Sequence, residues 1–192
     1  MIVAKVLSSA LISKFTSVGI VGQKASAEAL AISSGVSDFL MMLSANATCT
    51  GPMGTGSASG NFIIPPALGQ IMVASFSSYG LVGSASQSLA YAIGSTISEY
   101  VSSSGLITAP TIVGSGSGTA NFTAVPSVTL YNFLLGYFSS LVGDGEMLKS
   151  MSLAIADGVC TSVLASASPL TVVGTPQYPF SVVPSVSIGI VS

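Results

Sequence analysis

The stretch Phe15-Thr-Ser-Val-Gly-Ile-Val-Gly22 returns as Phe76-Ser-Ser-Tyr-Gly-Leu-Val-Gly83 and, shortened, as Phe138-Ser-Ser-Leu-Val-Gly143. The phenylalanines stand 61 and 62 residues apart. A second landmark follows at a similar spacing, its phenylalanines 60 and 58 residues apart: Gly60-Asn-Phe62-Ile-Ile-Pro65, Ala120-Asn-Phe122-Thr-Ala-Val-Pro126 and Tyr178-Pro-Phe180-Ser-Val-Val-Pro184. Two landmarks at one period mark a chain built from copies of a single supersecondary unit. The reading is one domain over 1–192, with units 1–62, 63–122 and 123–183 and a C-terminal tail 184–192. In that tail Pro184-Ser-Val-Ser opens a further unit and stops.

Each unit reads as a helix, a tight glycine turn, a second helix and an irregular Gly/Ser/Thr segment. In the second unit Pro65-Pro66 suits the first turn of a helix. Leu68, Ile71, Met72, Phe76 and Tyr79 then follow helical spacing. Gly80 fits the left-handed position after the helix, with Phe76 and Leu81 as the apolar pair of a Schellman stop. Phe15, Gly19 and Ile20 repeat that pattern. The third unit lacks the matching glycine and has Gly143 instead, so its turn is expected to differ. Ser84 and Gln87 have the spacing of a capping box for the second helix.

The second helices carry the stripes Ile32, Val36, Phe39/Leu40 and Leu43; Leu89, Ile93, Ile97 and Tyr100/Val101; and Leu148, Met151, Ile155, Val159 and Val163. A short turn between two such helices makes an antiparallel αα-hairpin. The first helix of the third unit, with Leu130, Tyr131, Phe133, Leu134, Leu135, Tyr137 and Phe138, lacks a polar face and is expected at the centre of the protein. The connecting segments 47–62, 105–122 and 169–183 are long and rich in Gly, Ser and Thr, and Leu106-Ile-Thr and Thr111-Ile-Val113 suit short strands. The fold class is therefore mainly α: three repeated αα-hairpins of about 60 residues joined by long Gly/Ser/Thr-rich arms. The arms are expected to be irregular, with short extended segments and no regular sheet. Loops of this length are commonly functional or held by a neighbour.

Charged residues are only 5% of the chain, against about 25% in an ordinary soluble domain. From Phe39 to Ser98 there is no Asp, Glu, Lys or Arg. Hydrophobic residues are 49%, so Ser, Thr, Gly and Ala have replaced the charges, not apolar residues. Little on such a surface keeps copies apart. Four basic residues and a net charge of −2 leave no basic stripe for nucleic acid.

The chemistry-bearing residues are few. With no His there is no Ser-His or Cys-His pair. Gly56-Ser-Ala-Ser-Gly60 and Gly114-Ser-Gly-Ser-Gly118 do not match the strand-to-helix nucleophile pattern, and no phosphate-loop pattern occurs. A Ser/Lys dyad would need Lys5, Lys14, Lys24 or Lys149 beside a serine, and no spacing singles one out. Two cysteines, Cys49 and Cys160, do not make a zinc site and are read as free thiols. Asp144 and Glu146 read as carboxylates at a helix start, not as a calcium site. Asn46-Ala-Thr48 and Asn121-Phe-Thr123 match the glycosylation sequon by chance in so Thr-rich a chain. The reading is no enzyme, with no catalytic, cofactor-binding or metal residues and no cofactor.

The opening Met1-Ile-Val-Ala-Lys-Val-Leu-Ser-Ser-Ala-Leu-Ile-Ser-Lys-Phe15 superficially suggests a secretory signal, but Lys14 breaks its apolar stretch and no cleavage pattern follows, so it reads as a helix of the mature chain. A membrane-spanning helix needs about 20 apolar residues. The windows Phe62–Gly83 and Pro126–Gly143 are interrupted or shorter. Burial among protein neighbours fits the composition better, because Ser, Thr, Ala and Gly lose little side-chain entropy when covered.

In its three F-x-S-x-G-[IL]-V-G-type hairpins and Gly/Ser arms the chain resembles structural proteins of tailed-bacteriophage virions. That resemblance implies a non-enzymatic structural subunit of the tail, baseplate or neck. It would be made in the host cytoplasm and located in the virion, with other copies of itself and other structural proteins as partners, and without nucleic acid. The alternatives are a membrane-inserted helical or pore-forming protein, and a secreted or cell-surface assembly subunit.

Overall fold

The computed structural model of the protein describes residues 2–42, 44–50, 56–63, 68–104, 106–111, 117–122, 127–143, 145–160, 170–173 and 185–187. These residues are mainly helical. The helices are α1 (Ile2–Ser17), α2 (Gln23–Met42), α3 (Leu68–Ser78), α4 (Ser84–Ser104), α5 (Ser127–Val142) and α6 (Glu146–Val159). Each packs against its neighbours in sequence, and α6 returns to pack on α1, so the six form a closed ring.

The ring is held by apolar residues at helical spacing. Leu7, Leu11 and Phe15 on α1, Leu68, Met72 and Phe76 on α3, and Leu130, Leu134 and Phe138 on α5 are all buried. Each set is an i, i+4, i+8 stripe, and corresponding members are 61 and 62 residues apart. On the even helices Ile32, Ile93 and Ile155 are buried, as are Val36, Ile97 and Val159. The seam between α6 and α1 repeats the contact between α2 and α3. A Cβ added at Gly35 would lie 2.8 Å from Met72 Sδ, and one at Gly158 would lie 2.6 Å from Leu11 Cδ2. The small residue lets the helices approach at equivalent places. Leu43 and Val163 lie outside the described residues.

The first two turns have Schellman geometry. Gly19 and Gly80 have φ of +80° and +76°. The Ile20 and Leu81 N–H groups donate to the Phe15 and Phe76 carbonyls at 2.8 and 3.0 Å. The Gly19 and Gly80 N–H groups donate to the Thr16 and Ser77 carbonyls, both at 3.1 Å. The third turn differs: α5 runs on to Val142 and is followed by Gly143 at φ +89°. The capping-box expectation is corrected. The Gln87 N–H donates to the Gly83 carbonyl at 3.0 Å, so Gly83, not Ser84, precedes the first helical residue. Gly22 and Gly145 accept equivalent bonds from Ser26 and Lys149.

The expectation that α5 is central is also corrected. Leu130, Leu134 and Phe138 are buried, but Val128, Tyr137 and Leu141 are exposed. The helix takes the same place in the ring as α1 and α3: Tyr131 and Phe133 pack partly buried against the core, while Val128, Tyr137 and Leu141 face outward.

The backbone of the connecting segments is more regular than their composition implies. The strands β1 (Ser44–Thr50), β2 (Gly56–Ile63), β3 (Leu106–Thr111), β4 (Ser117–Phe122), β5 (Leu170–Val173) and β6 (Ser185–Ser187) pair antiparallel in chain order. β6 returns to β1, closing a barrel. Irregular arms would leave peptide groups to find partners singly, whereas neighbouring strands satisfy them in ladders. Residues 51–55, 112–116 and 174–184 lie outside the described residues.

Candidate functional site

Short links join the paired helices at 18–22, 79–83 and 143–145, so the three turns lie at the end of the ring away from the strands. Three of the four lysines are near this end, and each faces a carboxylate. Lys14 Nζ donates to Asp157 Oδ2 at 3.0 Å across the α1–α6 seam. Lys24 lies 3.9 Å from Glu28, and Lys149 donates to Glu146 Oε1 at 2.7 Å. Glu146 is in the first turn of α6, where a carboxylate suits the helix dipole. Its sequence neighbour Asp144 lies outside the described residues.

The residues considered for chemistry are not brought together. The Ser8 and Ser9 hydroxyls both donate to the Lys5 carbonyl at 3.0 Å, which uses them within α1. Other buried hydroxyls also bond to helix carbonyls: Ser33 to Ala29 at 2.6 Å, Thr96 to Ala92 at 2.7 Å, and Ser75 across to Ala31 at 2.7 Å. Among the described residues no group of three or more Cys, Asp and Glu is placed to hold a metal ion. Cys160 is a buried free thiol at the end of α6, donating to the Tyr100 hydroxyl at 3.5 Å. Burial raises its pKa, as the nearby Asp157 carboxylate does, against the opposing Tyr100 bond. A thiol held protonated is a weak nucleophile. Asn46 and Asn121 of the two sequons fall on β1 and β4, and Thr123 lies outside the described residues.

Sequence reasoning passed over Glu28. This carboxylate is buried, and burial raises its pKa while Lys24 lowers it. The repeat itself carried the signal, because Glu28 aligns with Leu89 and Met151.

The remaining feature is the outer surface. Leu30, Tyr91 and Leu153, one on each even helix at the repeat spacing, are all exposed. At the turn end Val21, Val82 and Met147 are 70%, 69% and 70% exposed, and Tyr79 and Leu141 accompany them. Among the described residues no helix is long and apolar enough to cross a membrane. What this arrangement offers is area for contact, with apolar residues spaced among small polar ones.

Comparison with protein-family models, with curated proteins and with solved structures gave no match.

Proposed function

We propose that this protein is a non-enzymatic structural subunit of a large protein assembly, in the setting of a phage virion tail, baseplate or neck. The observation that carries the reading is the outer surface. It combines a charged fraction of 5% with exposed apolar residues recurring at the repeat spacing. Such a surface costs little to desolvate, because burying unpaired Lys or Glu is what penalises contact on most proteins. Small side chains also lose little entropy on being covered. The partners are further copies of the chain and other structural proteins, and the fold is read as three αα-hairpin units with Gly/Ser/Thr-rich arms that meet those partners.

A membrane-inserted protein is the second reading, favoured by the exposed Val21, Val82 and Met147 at the turn end. Hydrogen exchange on isolated and assembled protein tests the first. The described parts of segments 47–62, 105–122 and 169–192 are already paired in the barrel of one copy, and these segments are expected to gain further protection in the assembly. Equal protection in both states would contradict the role of the arms. Assembly only in the presence of lipid would favour the second reading.

A further inference from the structure

The third unit closes the barrel differently from the way the first two join it. β2 pairs with β3 so that Gly60, two residues before the landmark Phe62, lies opposite Ile107. β4 pairs with β5 so that Ala120, two residues before Phe122, lies opposite Leu170. The corresponding residue of the third unit is Tyr178, two before Phe180. On β1, however, Asn46 lies opposite Ser185, seven residues further along the chain.

A physical reason lies in the sequence. Pro176 and Pro179 flank Tyr178, and a proline has no N–H to give a ladder. The stretch that internal repetition would place along β1 therefore lacks two donors, and a later segment takes the place.

That later segment is held by little. β6 pairs with β1 over Ser44–Asn46, and with β5 at Ser187 and Val186 only. β1 pairs with β2 over seven positions. The strand-to-strand connections are 51–55 and 112–116 in the first two units but 174–184 in the third. Eleven residues can span at most about 36–40 Å when fully extended. In sequence the tail Ser185-Val-Ser-Ile-Gly-Ile-Val-Ser192 alternates small and apolar residues from Ser185 to Ile190.

We propose that the β1 edge is a strand-exchange site: in the assembly, the C-terminal strand around Ser185–Ser187 of one copy lies along β1 of the next, replacing that copy's own β6. This inference rests on the assembly-subunit reading and names how copies join. Exchange keeps the same backbone hydrogen bonds, so its cost is small, and identical elements traded between copies are an established route to association. The exchange is head-to-tail: each copy donates one strand and accepts one, so it builds rings or open chains, not closed pairs alone.

Directly opposed residues make the test. Ala45 lies opposite Val186, and such pairs have Cα separations of about 4.5–5.5 Å, within reach of a disulfide. In full-length chain carrying Cys49→Ser and Cys160→Ser, Ala45→Cys and Val186→Cys are made separately and together. The two single variants are mixed, refolded, oxidised and run without reductant. Exchange gives a covalent species of twice the 19.0 kDa chain mass, well in excess of that from either variant alone, and a ladder of multiples from the double variant. An intrachain-bonded monomer from the double variant, with no excess dimer on mixing, would overturn the proposal. So would the absence of any bond in either sample. Sedimentation of the unmodified protein separates the two failures: multi-copy assembly without cross-links rejects strand exchange alone, whereas a lone monomer rejects the assembly reading as well.

Discussion

Gly80 ends α3 at φ +76°, and no heavy atom lies within 4 Å of where its Cβ would stand. Gly80→Val therefore introduces backbone strain without a clash. It is expected to cost about 1–3 kcal/mol in urea unfolding, and unchanged stability would contradict the turn geometry. The turn was legible because its requirements are local: a residue without Cβ at one position and apolar residues on either side. Ser152 is fully buried, and its hydroxyl has no hydrogen-bond partner among the described residues, while Ala29 and Ala90 hold the equivalent places. Ser152→Ala is expected to stabilise by about 1 kcal/mol, measured by the same denaturation. Glu28 was not legible from its own helix, where a glutamate four residues after Lys24 looks like a solvated ion pair. Its folded pKa lies above the ordinary 4.5 because burial disfavours the charge. The folded state then binds more protons than the unfolded one, and Glu28 makes stability fall as pH rises from about 4.5 through its raised folded pKa. Glu28→Leu is expected to flatten that fall, and an unchanged pH profile would contradict the burial argument.

At the scale of elements, apolar spacing identified the helices, because a ring of helices needs one buried stripe on each. Ring closure was not legible, since nothing in a repeat says whether its last unit meets its first. The α1–α6 seam puts the distinction to a test. Leu11 is buried and sits against Gly158, whereas Lys14 and Asp157 are partly exposed. Leu11→Ala is expected to cost about 2–5 kcal/mol and Lys14→Ala no more than about 1 kcal/mol, both by thermal or urea unfolding. A larger effect from Lys14 would mean that the seam is held by charge. The strands were legible only as extended pieces. Ser44-Ala-Asn-Ala-Thr-Cys-Thr50 does alternate polar with apolar residues, but the apolar ones, Ala45, Ala47 and Cys49, are small and give a weak strand signal, and the ladder forms through backbone groups that all residues share. The outward face of α5 was misread for a related reason. Apolar residues on every side of a helix indicate covering, but not whether the cover is the same chain or another.

For the whole molecule, the low charge that the sequence displays and the exposed apolar residues that the fold displays point to the same property: this surface favours contact. Solubility is expected to be lowest near pH 4.6, the sequence pI, where the small net charge vanishes. Turbidity across pH 4 to 8 checks this, and a flat profile would show that net charge does not govern association. The candidate surface was partly legible, because composition shows how little charge the surface carries without saying where its apolar residues lie. The positions of Leu30, Tyr91 and Leu153 emerge only when the even helices are placed in the ring. The central claim, that the chain is a subunit of an assembly, is tested most directly by sedimentation of the full chain at neutral pH without detergent. Species of many times the 19.0 kDa chain mass are the expected result, and a single monomeric boundary across the micromolar range would contradict the account.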